Sequence, residues 1–137
     1  MAYVLDASVA AVWFLPDEAS EAADRLLGEV LTNPAVVPSL FRHELRNLLL
    51  LAERRDRVSP FEIDEALMLA TLPIVERGPG ADHDILHLAR KHGLTAYDAA
   101  YLALALAEGL PLATLDKKLI AAARVESIPL IGEPGAS

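Results

Sequence analysis

Ala2-Tyr3-Val4-Leu5-Asp6-Ala7-Ser8 opens the chain with a short apolar run that stops at an acid and is followed by a hydroxyl residue. A brief apolar run containing Tyr and Val reads as a buried strand. Ser8 then begins an apolar stretch through Trp13 and Leu15 that Pro16 closes. This predicts a short helix with Ser8 or Asp6 near its cap. A strand passing directly into a helix is the unit from which α/β domains are built.

The alternation continues along the chain. Asp17 to Leu31 carries apolar residues at helical spacing until Asn33-Pro34 stops it, and Ala35 to Val37 is a second strand ended by Pro38. Ser39 to about Asp56 is the longest helical pattern. Val58-Ser59-Pro60 marks a new N-cap with Pro at the first helical position, opening a helix to Thr71. Leu72 to Glu76 is a third strand, and Gly78-Pro79-Gly80 a loop. Helices are predicted over Asp82 to His92, closed by Gly93, and over Ala96 to Glu108, opened by Thr95 and closed by Gly109. Leu112 to Leu115 is a fourth strand, Lys117 to Arg124 a helix, and Ile128 to Ile131 a last strand. The expected fold is α/β, with a mostly parallel central sheet of about five strands flanked by helices. Residues 1–132 read as one domain and 133–137 as a frayed tail.

Composition agrees. The 137 residues are 53% hydrophobic and 23% charged, enough apolar content for a sizeable core. The longest apolar run, Ala99 to Ala107, is far too short to span a membrane. No signal peptide is visible and there is no cysteine, so a cytoplasmic setting is expected and thiol chemistry is excluded. Twenty acids against twelve Lys and Arg give a formal charge of −8. That is the wrong sign for bulk phosphate affinity.

Four acids stand where chemistry is expected. Asp6 ends the first strand and Asp116 follows the fourth; ligands of open α/β sheets bind outside such strand ends. Glu44 and Asp98 lie inside apolar helices, and Asp98 is the only charge between Thr95 and Ala107. Each has a plain alternative. Asp6 and Asp116 also fit helix N-caps, Asp98 fits a capping-box variant with Thr95, and Glu44 fits an exposed helix acid. If the four converge, each pair at ~4 Å repels by about 4 kcal/mol at an effective dielectric near 20. Such a cluster needs protons or a divalent cation, and oxygen-only donors suit Mg²⁺ or Mn²⁺.

Four segments carry a resemblance: Val4-Leu5-Asp6-Ala7-Ser8, Glu44-Leu45-Arg46-Asn47-Leu48, Tyr97-Asp98-Ala99-Ala100-Tyr101-Leu102-Ala103 and Thr114-Leu115-Asp116-Lys117-Lys118-Leu119. In order and separation the chain resembles the PIN-domain ribonucleases, specifically the VapC-type toxins of bacterial toxin–antitoxin pairs. The resemblance implies a PIN-like, Rossmann-like three-layer fold. It implies that Asp6, Glu44 and Asp98 are the main Mg²⁺ or Mn²⁺ ligands and Asp116 a fourth acid. It also places Ser8, Asn47 and Thr114 as small polar residues around the pocket. The activity implied is endonucleolytic RNA hydrolysis by a metal-activated water. A small VapB-type antitoxin that occludes the site and a homodimer are the implied partners.

Basic residues beside these acids are candidates for a phosphate-tracking rim: Arg42 and Arg46 near Glu44, and Lys117 and Lys118 beside Asp116. His83 and His87 stand four apart, a spacing that can hold zinc, but no third ligand accompanies them. Two other readings compete with a nuclease. A receiver-like module needs an acid after the third strand, where only Glu76 is offered. A catalytically silent PIN-like interaction module would not need four acids.

Overall fold

A computed structural model of the chain describes residues 2–15, 25, 28, 32–69, 74–78 and 80–131. Its elements run β1 (Tyr3–Leu5), α1 (Ala7–Phe14), β2 (Ala35–Pro38), α2 (Phe41–Arg54), α3 (Pro60–Leu69), β3 (Ile74–Arg77), α4 (Asp82–His92), α5 (Ala96–Glu108), β4 (Leu112–Ala113) and α6 (Lys117–Val125). The predicted helix over Asp17 to Leu31 and the tail after 131 lie outside the described residues, 25 and 28 apart. No helix among the described residues is long and apolar enough to cross a membrane.

The four strands form one parallel sheet in the order β3-β2-β1-β4. β1 to β3 steps one way across the sheet, and the chain then returns past β1 to place β4. Right-handed crossovers therefore put α1, α2 and α3 on one face and α4 and α5 on the other. α1 packs on α2, α4 packs on α5, and α5 lies against β1, β2 and β4. The central strands β1 and β2 are buried throughout, as their uninterrupted apolar sequences require. Tyr3, Leu5, Phe41, Leu49, Tyr101, Leu102, Leu112 and Leu119 are among the largest fully buried side chains. The edge strand β3 is mostly exposed.

The fifth strand is reduced to a single parallel bridge between Leu112 and Leu130. Leu112 N–H donates to the Pro129 carbonyl at 2.9 Å, and Ile131 N–H donates to the Leu112 carbonyl at 3.0 Å. Pro129 has no N–H with which to extend the ladder. β4 is also shorter than its apolar sequence suggests, because Thr114 and Leu115 turn out of the sheet into the site described below.

Local signals placed the helix ends well. Ser59 and Glu62 form a reciprocal capping box, with Glu62 N–H donating to Ser59 Oγ at 3.1 Å and Ser59 N–H to Glu62 Oε1 at 3.3 Å. Gly93 and Gly109 close α4 and α5 at φ 65°, a left-handed conformation that costs glycine little. Thr95 Oγ1 accepts from the Asp98 N–H at 3.1 Å and so starts α5. Thr95→Ala is expected to cost about 1 kcal/mol of stability, read as a lower urea midpoint at unchanged m-value.

Candidate active site

The strand order reverses between the parallel strands β1 and β4, and the crevice outside their carboxyl ends is where an α/β fold binds ligands. Asp6 leaves β1 at that point. It occupies the N-cap position of α1, yet its side chain makes no capping hydrogen bond. Instead Oδ2 accepts from Ser8 Oγ and from Thr114 Oγ1, each at 2.7 Å. Thr114 arrives from the other side of the switch point, 108 residues away in sequence. The two hydroxyls are themselves oriented: Leu115 N–H donates to Ser8 Oγ at 3.3 Å and Asp116 N–H to Thr114 Oγ1 at 3.1 Å. With a lone pair of each hydroxyl occupied by an amide, its one proton is directed at Asp6. Asp6 is only 4% exposed, and Thr114 5%.

Asp116 separates from Asp6 here. Its Oδ1 accepts from Lys118 N–H at 2.9 Å and Leu119 N–H at 3.1 Å, so it is a true N-cap for α6. Its charge still reaches the pocket, where it opposes ionisation of both Asp6 and Asp98.

Three carboxyls are pushed above their ordinary range, each mainly by burial. For Asp6 the burial is opposed by the Ser8 and Thr114 hydrogen bonds and reinforced by Asp98 and Asp116. For Glu44, burial is opposed by Tyr101 and reinforced by the Asp6 and Asp98 charges. For Asp98, burial is reinforced by Asp116 and opposed by Thr95 and Lys118. Asp98 thus acts on both Asp6 and Glu44, and Asp116 on both Asp6 and Asp98, which links four acids from four separate segments electrostatically.

Of the remaining sequence-predicted residues, Ser8 and Thr114 belong to the pocket through Asp6. Asn47 is exposed on α2, one turn from Glu44. Lys117 and Lys118 are exposed at the start of α6, and the Lys118 charge acts on Asp98. Arg42 and Arg46 are also exposed but lie two residues either side of Glu44, a spacing that turns them toward the opposite side of the helix. Arg42 pairs instead with Glu76 of β3 at 3.3 Å. That pair is solvent-exposed, so the end of β3 offers no buried acid of the kind a receiver-like pocket requires. His83 and His87 stack their rings at 6.4 Å.

Sequence reading missed Tyr101. It sits one turn after Asp98 inside an apolar run, and there it looked like core. It is core, at 0% exposed, with a hydroxyl buried without a hydrogen-bond partner, and it acts on the Glu44 carboxyl.

The donor set suits a hard divalent cation. All candidate ligands are carboxylate oxygens, Asp6 has one oxygen held by two hydroxyls and the other outside those bonds, and Glu44 Oε1 is buried without a hydrogen-bond partner. Among the described residues no three His, Asp or Glu side chains already stand close enough to hold one ion.

The chain matches the PIN domain family over residues 3–125. It is 35% identical over 127 residues to Ribonuclease VapC3 of Pyrobaculum aerophilum, covering 87% of this chain and 92% of that protein. A crystal structure of a Pyrobaculum aerophilum protein superposes with TM-score 0.61 at 26% identity, covering 89% of this chain and 87% of that chain. FitAcB from Neisseria gonorrhoeae superposes with TM-score 0.66 at 20% identity over 96% of each chain. A chain of a toxin–antitoxin complex from Klebsiella pneumoniae gives 0.57 at 19%, covering 87% of this chain and 90% of that one.

Proposed function

The chain belongs to the PIN-domain family as a VapC-type ribonuclease, and from that premise we propose that it is the toxin of a toxin–antitoxin pair, cutting RNA at the Asp6, Glu44, Asp98 and Asp116 site. The observation that carries the reading is Asp6: a carboxylate 4% exposed, at the sheet's switch point, oriented by two hydroxyls and surrounded by three further acids. Such a group is costly to keep unless function requires it.

Asp6, Glu44 and Asp98 are the residues that would hold Mg²⁺ or Mn²⁺. When bound, such an ion supplies an activated water and shields the charge that develops on the phosphate. The protein's own residues do the rest. Ser8 and Thr114 hold Asp6 Oδ2, which fixes the carboxylate plane and leaves Oδ1 for a ligand. Asp116 spends Oδ1 on capping α6, so Oδ2 is the oxygen it would have to offer such an ion.

Lys118 is the basic residue best placed to meet an RNA phosphate, because its charge already reaches Asp98. Lys117 adjoins it, while Arg46 and Arg42 form a weaker, outlying part of the rim. Lys118→Ala is expected to lower the slope of log affinity against log salt by about 1 in RNA-binding titrations. Arg46→Ala is expected to change it less.

The antitoxin's seat on this reading is the cleft of about 230 Å³ between α1 and α2. It runs from Ser8, at the site, over Leu15, Leu48 and Leu51 to Arg55 and Arg57, an apolar floor with a basic far end. Phe41, at the start of α2, is fully buried and takes no part. The homodimer belongs to the same reading and is checked by sedimentation equilibrium. The deciding experiment is cleavage of total RNA by the purified protein with 5′-end sequencing. Cleavage that stops in EDTA and returns with Mn²⁺ is the expected result; cleavage that persists in EDTA overturns the metal-site reading.

A further inference from the structure

His83 and His87 take no part in the carboxylate pocket. Both are exposed on α4, and their rings stand side by side with centres 6.4 Å apart and planes inclined by 16°. Residues four apart share one face of a helix, a turn from each other. Two imidazoles at that spacing are a recurrent pair of zinc ligands. A tetrahedral ion that binds two imidazoles at about 2.0–2.1 Å sets their ring centres about 5 Å apart. The pair is therefore about 1 Å wider than a loaded site. Rotation about the side-chain bonds of two exposed residues closes a gap of that size without moving the backbone.

The donors also differ from those of the pocket. Imidazole nitrogen suits Zn²⁺, whereas carboxylate oxygen suits Mg²⁺ or Mn²⁺. Two ligands do not complete a tetrahedral zinc site, which takes four. Among the described residues no three His, Asp or Glu side chains stand close enough to share an ion, so this face supplies two ligands. Asp84 adjoins His83 in sequence, but neighbours on a helix do not face each other.

The surroundings favour a second copy of the chain as the source of the other two. His87 lines a cavity of about 300 Å³ together with Leu88, Ala103 and Leu106. Leu86 on α4 and Leu106 on α5 are each 42% exposed. Apolar side chains in water beside a ligand pair gain from a contact that covers them. A twofold axis brings the same patch of each copy together, which sets four imidazoles about one ion. Each copy carries a formal charge of −8, so the copies repel, and a divalent cation between them offsets part of that repulsion.

We propose that His83 and His87 form half of a Zn²⁺ site, completed by the same two residues of a second copy, so that Zn²⁺ drives self-association through the α4 face. The site is separate from the carboxylate pocket and does not rest on the nuclease reading.

The test is sedimentation equilibrium of the full chain, with the carboxylate pocket saturated by Mg²⁺ and Zn²⁺ then added. Zn²⁺ at ten times its Kd is expected to tighten self-association about tenfold, with one ion bound per two chains. Further Mg²⁺ is expected to leave the association unchanged. His83→Asn and His87→Asn are each expected to abolish the Zn²⁺ response. His43→Asn, at an exposed histidine on α2, is expected to keep it. Imidazole ¹⁵N NMR of the parent protein gives a second readout: Zn²⁺ is expected to move the His83 and His87 resonances and leave that of His43 in place. A parent-like Zn²⁺ response in either folded variant, Zn²⁺ bound without tighter association, or unmoved His83 and His87 resonances overturns the proposal. RNA cleavage by both variants in Mg²⁺ is expected to match the parent, so the zinc site and the nuclease reading fail separately.

Discussion

Asp6→Asn is expected to reduce RNA cleavage by more than about 100-fold and to leave the fold intact. The size follows from its place in the site. Residues one step behind a metal ligand already cost about 10- to 100-fold in affinity or activity, and Asp6 would be a direct ligand. Asn keeps the shape, and its carbonyl oxygen can still accept the Ser8 and Thr114 protons that now go to Oδ2. What it loses is the negative charge, which is the property a hard cation selects. Folding is not threatened by that loss. The charge is opposed by burial and by the charges of Asp98 and Asp116, so the neutral amide relieves the metal-free protein. The measurement pairs a fluorescent-RNA cleavage assay with circular dichroism on the same preparation. Substantial cleavage by cleanly purified, folded Asp6→Asn protein overturns the site assignment.

The pairing of a harmless fold with a lost activity shows which features were legible in the sequence. Helix ends were, because capping is local: Thr95, Gly93, Gly109 and the Ser59–Glu62 box lie within a few residues of the groups they satisfy. The four acids were also legible as a set, since two end strands and two interrupt apolar helices. Their separate roles were not. Asp6 and Asp116 both occupy N-cap positions, and only the structure shows that Asp116 caps while Asp6 is held by a threonine 108 residues away. Tyr101 was hidden for the opposite reason: an aromatic in an apolar run is core in almost any fold, and nothing local marks it as acting on Glu44. Arg42's ion-pair partner was not legible either, because Glu76 comes from a strand far away in sequence. The fifth strand failed on Pro129, whose effect depends on which neighbour it would have paired with. The charge of −8 also looks different. On the proposed reading four of the 20 acids serve one site, and discounting them leaves −4, so affinity for RNA on that reading is local and tied to the cation rather than to bulk charge.

The metal-free protein is expected to lose stability as pH rises from the ordinary carboxylate range, and divalent metal is expected to reverse that loss. Asp6, Glu44 and Asp98 all have folded-state pKa values above their ordinary 3.8, 4.5 and 3.8. Between the unfolded and folded values, the native state therefore binds more protons than the unfolded state. Stability changes with pH in proportion to protons bound when unfolded minus protons bound when native, which is negative here, so stability falls as pH climbs through that window. Glu126 works the other way. Its carboxylate is held below the ordinary range by Lys91 and His92, so its contribution is present above pH 4.5 and is lost only on further acidification. One exposed-side ion pair of this kind contributes little, and its window lies below that of the three pocket acids. The expected record in EDTA is a melting midpoint that declines from about pH 5 upward until the pocket acids have ionised. Adding Mn²⁺ or Mg²⁺ binds the ionised native site, and at 100 times Kd it adds about 2.7 kcal/mol. The gain should grow with pH, because the cation competes with protons for the same oxygens. Asp6→Asn should both flatten the metal-free decline and shrink the metal-induced gain. A metal-free midpoint that rises across this range would mean that the three carboxylates are already paired or solvated, and that the pocket has no need of a cation.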